Sequence, residues 1–214
     1  PGREKLPAGR GDASAMRMSL KLVHAATMPS RRLAADCQEW APVFHLPSYI
    51  EPARYYSPGR QPDGQVVIGW RGDSSYLEAF TCSGAAEALR GVCRARPQVR
   101  VVMCTDDNRL RSVLDLPPSQ LDWRPWAPFA EWPGLLAGFD IGIAPLYSEY
   151  DQRRSWSQAL EYMIQRIPWV ASAGPAFQDL AQFGWLVNNQ AQVWERVLLD
   201  MVDHLDDYRL EAEH

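Results

Sequence analysis

Short apolar runs alternate with helix-like segments about every twenty to thirty residues from Gln65 onward, and this rhythm limits the fold more than any other feature. The predicted strands cover residues 66–69, 99–104, 121–123, 140–145 and 169–171. The predicted helices cover residues 74–95, 128–139, 155–165, 178–183 and 191–205. Strands in such strand–helix–strand units run parallel and are joined by right-handed crossovers. The sequence therefore predicts an α/β fold with a doubly wound parallel sheet.

The chain before residue 65 differs in composition from the rest. Residues 1–15 are rich in Pro, Gly and charged residues and have little to bury, so we expect a disordered leader there. Further elements are expected after it, namely a strand at 20–25, a helix at 30–39, a strand at 43–46 and a linker at 51–64. We therefore divide the chain into three parts, which are a leader (1–15), a short N-terminal segment with its linker (16–64) and a Rossmann-like domain (65–214).

The composition excludes several classes of protein. Hydrophobic residues make up 46% and charged residues 22% of the chain, as in globular proteins, and the net charge is −4. Nucleic-acid-binding proteins carry a surplus of basic residues instead. No apolar run is long enough for a transmembrane helix, and residues 1–15 lack the apolar core of a signal peptide. The cysteines form no C-x-x-C pair of the kind that binds metal. We expect a cytoplasmic protein with no nucleic-acid partner, no transmembrane segment and no metal site.

The loops at the carboxyl ends of the predicted strands are the candidate sites, because open parallel sheets bind ligands there, beside helix N-termini. Three such loops cover residues 69–75, 123–131 and 145–157. The first reads GWRGDSS, so Arg71, Gly72 and Asp73 belong to a segment that could cradle an anion with its backbone N–H groups. The sequence leaves open the alternative that the two glycines serve only a tight turn.

The loop at 145–157 combines basic and hydroxyl side chains ahead of a helix. Ser155 or Ser157 could cap that helix, and the free N–H groups of its first turn form a natural phosphate site. Arg153 and Arg154 could add charge-assisted hydrogen bonds to a phosphate. A solvated loop is the alternative for the two arginines.

A carboxylate lies farther along the same predicted helix. Glu161 shares a face with Ser157 and Gln158, since residues three and four apart are neighbours on a helix. Its carboxylate could accept hydrogen bonds from two ribose hydroxyls. An exposed position on the helix surface is the alternative.

The chain resembles the C-terminal part of family 4 glycosyltransferases, two-domain enzymes of the GT-B fold, in the stretches HLPSYIEP, VVIGWRGDSS, WRPWAPFAEWPGLLAGFDIGIAPL, YDQRRSWSQALEYM and IPWVASAGPAFQDL. In that family this half binds a nucleotide diphosphate sugar, which we expect to be linked to UDP or GDP, and the transfer needs no metal or other cofactor. The resemblance implies that Ser155 meets the diphosphate, that Glu161 holds the ribose and that Arg124 to Trp126 flank the base.

The chain also departs from that family. Gln158 stands where the family commonly has a lysine, and so it lacks the charge that offsets negative charge on a leaving diphosphate. Arg153 stands where the paired-glutamate form of the motif has a carboxylate. A complete GT-B enzyme has two domains and is roughly twice as long, so the resemblance implies that residues 16–64 are a remnant of the N-terminal domain and its linker.

Three functions remain open at this point, and no catalytic residue is assigned. The first is a glycosyltransferase domain that acts with a partner chain or domain that binds the acceptor. The second is a degenerate, non-catalytic nucleotide-sugar-binding module. The third is an assembly subunit whose apolar face self-associates or packs on a partner.

Overall fold

Two parallel sheets organise the protein, whose structure is a computed structural model that describes residues 13–55 and 63–213. The first part of the chain forms α1 (Ala13–Leu20), β1 (Ala26–Met28), α2 (Arg31–Cys37) and β2 (Val43–His45). β1 and β2 pair in parallel as a small sheet, with Ala26 opposite Val43. Ser30 caps α2, because its hydroxyl accepts a hydrogen bond from the Leu33 N–H at 3.2 Å.

The large sheet follows, with strands β3 (Val66–Arg71), β4 (Val99–Cys104), β5 (Leu121–Arg124), β6 (Ile141–Ala144), β7 (Trp169–Ser172) and β8 (Trp185–Val187). The helices around it are α3 (Leu77–Cys82), α4 (Ala85–Ala95), α5 (Arg109–Leu114), α6 (Trp132–Leu136), α7 (Ser157–Ile164), α8 (Ala191–Asp203) and α9 (Leu205–Ala212). All its pairings are parallel, in the order β5-β4-β3-β6-β7-β8, and this confirms the predicted doubly wound sheet. The strand order reverses between β3 and β6.

The large sheet buries a separate apolar cluster on each face. One face packs against α3, α4, α5 and α8, where Trp70 and Trp194 are fully buried. The other face packs against α6 and α7, where Trp132, Tyr162 and Trp169 are buried. Strands that are covered on both faces need near-continuous apolar runs. The runs in the sequence therefore allowed β3, β4, β6 and β7 to be predicted correctly.

The N-terminal predictions are corrected in part. The strand predicted at 20–25 was wrong, because Leu20 is the last residue of α1 and is buried in a cluster with Met28 and Cys37. Residues 1–12 of the predicted leader lie outside the described residues, and residues 13–15 are the start of α1. In the predicted linker, Pro52–Tyr55 form a short 3-10 turn, and residues 56–62 lie outside the described residues.

Several helices of the Rossmann-like domain are shorter than the sequence predicted. The helix predicted at 74–95 is broken between α3 and α4 at Gly84, whose φ of 86° is left-handed and whose backbone lies against that of Ala191. The helix predicted at 128–139 shortens to α6, and the one at 178–183 shortens to a 3-10 turn at Gln178–Leu180. The short elements α5 and β8 and the polar helix α9 were not predicted.

Two glycines let aromatic rings lie directly on the sheet where the strand order reverses, and one of these rings belongs to α7. Gly69 of β3 and Gly142 of β6 are partners in the register. A Cβ atom at Gly69 would lie 2.1 Å from the Phe139 ring, and one at Gly142 would lie 2.6 Å from the Tyr162 ring. Tyr162 therefore lies flush against the sheet, and its hydroxyl donates a hydrogen bond to the Ile143 carbonyl at 2.9 Å.

Changing Gly142 to Ala should destabilise the protein, because the new methyl group would overlap the buried Tyr162 ring. We expect a loss of about 1–3 kcal/mol in the free energy of unfolding, measured by urea denaturation. The control is Gly134→Ala in α6, where a Cβ atom meets nothing within 4 Å; it should be neutral or stabilise by up to about 1 kcal/mol. Equal effects of the two changes would contradict close packing at Gly142.

Candidate functional site

The loops that follow β3 and β6 meet above the point where the strand order reverses, which is where doubly wound sheets bind ligands. Arg154 joins them, since its Nη2 donates to Ser75 Oγ at 2.5 Å. The same guanidinium donates through Nε to Asp151 Oδ1 at 2.8 Å and lies 3.9 Å from the centre of the Tyr76 ring. The structure thus brings together two of the loops that the sequence singled out.

The loop after β3 is shaped by its own contacts. The strand continues to Arg71, so the loop is shorter than predicted. Asp73 caps the turn that follows, with its carboxylate 2.8 Å from the Ser75 N–H. Gly72 is buried, and a Cβ atom there would lie 2.2 Å from the Trp70 ring.

The loop after β6 is folded around the buried carboxylate of Asp151. This carboxylate accepts hydrogen bonds from the N–H groups of Tyr147 and Ser148, at 3.2 and 3.1 Å, and from Arg154. Asp151 was not predicted as a site residue, although its spacing of three residues from Arg154 is typical of a local ion pair. Asp151 therefore holds Arg154 in its orientation toward the loop after β3.

Arg153 points away from that loop and is buried, with 5% of its side chain exposed. Its Nε donates to Asp36 Oδ2 of α2 at 2.5 Å, and its Nη1 donates to the carbonyl of Glu149. The carbonyl of Arg153 accepts from Ser30 Oγ at 2.6 Å. Arg153 therefore ties α2 to the loop after β6, a contact between residues more than a hundred positions apart in the chain.

The start of α7 lacks a side-chain cap, so the prediction that Ser155 or Ser157 caps it was wrong. The hydroxyl of Ser155 instead donates to that of Ser157 at 3.2 Å. Ser155 also lines a cavity of about 350 Å³ that lies between the start of α2 and the loop after β7. The first turn of α7 is therefore left with N–H groups that no side chain in the described part of the chain caps, and such groups attract anions.

Gln158 connects the ends of β3 and β6. Its Nε2 donates to the carbonyls of Arg71 and Ile143, at 3.2 and 3.4 Å, and lies 3.2 Å from the Tyr162 hydroxyl. Its Oε1 is buried and has no hydrogen-bond partner among the described residues. Gln158 thus occupies the lysine position of the resembled family as a neutral donor.

Glu161 lies one turn deeper, with 17% of its side chain exposed. Its Oε1 accepts a hydrogen bond from the Tyr55 hydroxyl at 2.9 Å and lies 3.6 Å from Arg71 Nη1. Burial raises the pKa of Glu161, while the hydrogen bond from Tyr55 and the charge of Arg71 act in the opposite direction. Tyr55 was not predicted as a site residue, because it falls in the predicted linker and no motif around it indicates a role.

Aromatic rings surround the guanidinium of Arg71. Its Cζ lies 4.2 Å from the centre of the Trp126 ring and 4.6 Å from that of Trp132. Trp132 is buried, whereas 43% of Trp126 is exposed. Trp126 therefore presents an indole ring to solvent beside Arg71, and an exposed ring of this kind can stack on a planar ligand group.

Among residues 13–55 and 63–213, no group of three or more His, Cys, Asp or Glu side chains is arranged to hold a metal ion. Over the same residues, no helix has the length and apolar character needed to cross a membrane.

The described structure was compared with proteins of known structure. WaaG, a glycosyltransferase involved in lipopolysaccharide biosynthesis, matches with a TM-score of 0.70 at 16% identity, over 87% of this chain and 56% of its own. HepE from Anabaena, solved in complex with UDP and glucose, matches with a TM-score of 0.70 at 12% identity, over 93% of this chain and 59% of its own. The C-terminal domain of LpcC, a glycosyl transferase group 1 family protein from Francisella tularensis, matches with a TM-score of 0.58 at 14% identity, over 77% of this chain and 92% of its own.

These likenesses establish the fold. The chain has the Rossmann-like fold of group 1 GT-B glycosyltransferases, which confirms the fold implied by the sequence resemblance. It spans 56% and 59% of the lengths of WaaG and HepE. Comparison by sequence gives no matching family model and no matching curated protein.

Changing Arg153 to Ala should destabilise the protein, because the Asp36 carboxylate and the Glu149 carbonyl would lose a buried donor. We expect a loss of about 2–3 kcal/mol in the free energy of unfolding. The control is Arg32→Ala on α2, since Arg32 lies 3.6 Å or more from its carboxylate partners and is half exposed; it should change stability by less than about 0.5 kcal/mol. Similar losses in the two variants would contradict a structural role for Arg153.

Proposed function

We propose that this chain binds a nucleotide diphosphate sugar, linked to UDP or GDP, and that it transfers the glycosyl group together with an acceptor-binding partner. The observation that carries the proposal is the convergence of Arg154, the uncapped start of α7 and Glu161 at the carboxyl ends of β3 and β6. Arg154 and the uncapped start of α7 suit the phosphates of a nucleotide, and Glu161 suits its ribose. The cytoplasmic location expected from the sequence remains part of the proposal.

The diphosphate would lie between the loop after β3 and the first turn of α7. The N–H groups of that turn and the dipole of α7 favour an anion, and the Ser155 hydroxyl lies beside them. Arg154 supplies a guanidinium that Asp151 already orients. We leave Arg153 out of the proposed donor site, because its guanidinium is buried against Asp36.

The nucleoside would lie deeper in the cleft. Glu161 offers a carboxylate whose charged form is supported by Tyr55 and Arg71, and a ribose presents hydroxyl donors to it. The exposed ring of Trp126 offers a face to the base.

Transfer needs an acceptor site, which the proposal assigns to a partner chain or to a further domain. The small sheet has an exposed apolar face, on which Phe44 and Leu46 are 62% and 56% exposed. Parallel sheets are normally covered on both faces, so this face is suited to packing against such a partner or a second copy of the chain. A strictly monomeric chain at high concentration in analytical ultracentrifugation would contradict self-association through it.

A non-catalytic binding module is the second candidate, and the neutral Gln158 favours it. A leaving diphosphate develops negative charge, and the amide of Gln158 is engaged with the carbonyls of Arg71 and Ile143. Hydrolysis of UDP- and GDP-sugars separates the two candidates. An enzyme hydrolyses one of them slowly and loses this activity on Glu161→Ala, whereas a binding module leaves them intact.

Isothermal titration with UDP, GDP and the corresponding nucleosides tests the proposal. Arg154→Ala should weaken binding of the nucleoside diphosphate by about tenfold and leave nucleoside binding nearly unchanged, because only the diphosphate meets the guanidinium. Arg94→Ala, on the exposed side of α4, should bind as the unchanged protein does. Equal losses for nucleoside and diphosphate would indicate a fold defect, and no binding of any of these ligands or their sugars would refute the proposal.

Changing Gln158 to Lys should tighten binding of the nucleoside diphosphate, because an ammonium group can keep the contacts to the two carbonyls and add a charge near the phosphates. We expect a gain of about tenfold in affinity by titration calorimetry. Gln158→Met, of similar length but without donors, should weaken binding. If the Lys variant binds no better than the Met variant, Gln158 does not face the phosphates.

A further inference from the structure

Tyr55 connects the segment ahead of the large sheet to the candidate site. It ends the turn Pro52–Tyr55 and is only 4% exposed. Its ring lies edge-to-face on Phe129, at 6.0 Å between ring centres, and its carbonyl accepts a hydrogen bond from Gln165, the residue directly after α7. Its hydroxyl donates to Glu161 Oε1 at 2.9 Å. Tyr55 is thus fixed by three separate contacts, and the last of them is to the proposed ribose ligand.

Arg71 approaches the same carboxylate oxygen from a different element. It ends β3, and its Nη1 lies 3.6 Å from Glu161 Oε1. The rings of Trp126 and Trp132 hold its guanidinium in place. Glu161 is therefore contacted by a neutral donor from the turn and by a cation from β3, both on one oxygen.

We propose that Tyr55 is a positioning residue for Glu161, which fixes one carboxylate oxygen so that the carboxylate is set to receive the hydroxyls of a donor ribose. The inference rests on the proposed function, since it assigns Glu161 to the ribose. A side chain with three rotatable bonds loses rotamer entropy when it binds a ligand, and prior fixation by Tyr55 reduces that loss. Burial disfavours the charged form of the Glu161 carboxylate, and the hydrogen bond from the Tyr55 hydroxyl stabilises that form.

This role has a consequence for the dependence of binding on pH. The groups that face Glu161 are Tyr55 from the turn, Arg71 from β3 and Trp132 from α6, with Tyr162 next to it on α7. Burial raises the pKa of Glu161, and Tyr55 and Arg71 limit the rise. Binding through a carboxylate is present above its pKa and is lost as the pH falls through it. Loss of the Tyr55 hydroxyl raises that pKa further, so binding should fail at a higher pH.

The test is Tyr55→Phe, which keeps the ring against Phe129 and removes only the hydroxyl. Affinity for uridine and guanosine, which lack the terminal phosphate that titrates at about pH 6 in UDP and GDP, is measured by titration calorimetry between about pH 4 and pH 8. We expect the midpoint of the affinity loss to move upward by about one pH unit, with about tenfold weaker binding at the acidic end. Glu161→Gln should abolish this pH dependence. Tyr208→Phe, which removes a hydroxyl that donates to Asp200 far from the site, should leave the profile unchanged.

A measurement without ligand separates this inference from the proposed function. Carbon-detected NMR titration of the Glu161 carboxyl group should give a higher midpoint in Tyr55→Phe than in the unchanged protein. Arg71→Gln, which keeps Tyr55 and removes the neighbouring charge, should also raise the midpoint and is the positive control for the measurement. An unshifted midpoint in Tyr55→Phe, with a shifted one in Arg71→Gln, would overturn the role of Tyr55. Shifted midpoints in a protein that binds neither UDP nor GDP would refute the proposed function and leave Tyr55 as the residue that orients Glu161.

Discussion

The close approach of α7 to the centre of the large sheet is the constraint on which the candidate site depends. Gly69 and Gly142 leave no side chains where β3 pairs with β6, so the Phe139 ring rests on Gly69 and the Tyr162 ring of α7 rests on Gly142. Its helix then carries Gln158 to the strand ends and Glu161 to Arg71. A bulkier residue at Gly142 would overlap Tyr162 and move the helix outward, and the contacts of the site would be lost together.

The site is arranged by paired charges more than by an excess of positive charge. Arg71 lies against Glu161, and Arg154 is held by Asp151, so both of these arginines already have a carboxylate neighbour. Such pairing fixes the direction of the donors before any ligand arrives. The pairing also lowers the net electrostatic attraction of the site for a diphosphate. Gln158 is neutral and adds nothing to that attraction. Geometry and backbone N–H groups therefore carry most of the proposed donor binding.

Sequence reasoning found the features that arise within one element and missed those that need distant partners. The buried strands around Gly69 and Gly142 were predictable, because strands covered on both faces need apolar runs. The helix position of Glu161 followed from local spacing. The direction of the Arg153 side chain could not be predicted, because it depends on Asp36 in another part of the chain. The contact of Tyr55 with Glu161 could not be predicted either, because the two residues are 106 positions apart.

A crystal structure of the chain grown with UDP, and one grown with GDP, would test the central claim most directly. The account predicts a nucleotide with its diphosphate between Ser75 and the first turn of α7, and with its ribose hydroxyls on Glu161. The Tyr55 and Arg71 contacts to that carboxylate should persist in the complex. A nucleotide bound elsewhere on the chain, or a ribose that does not touch Glu161, would contradict the account.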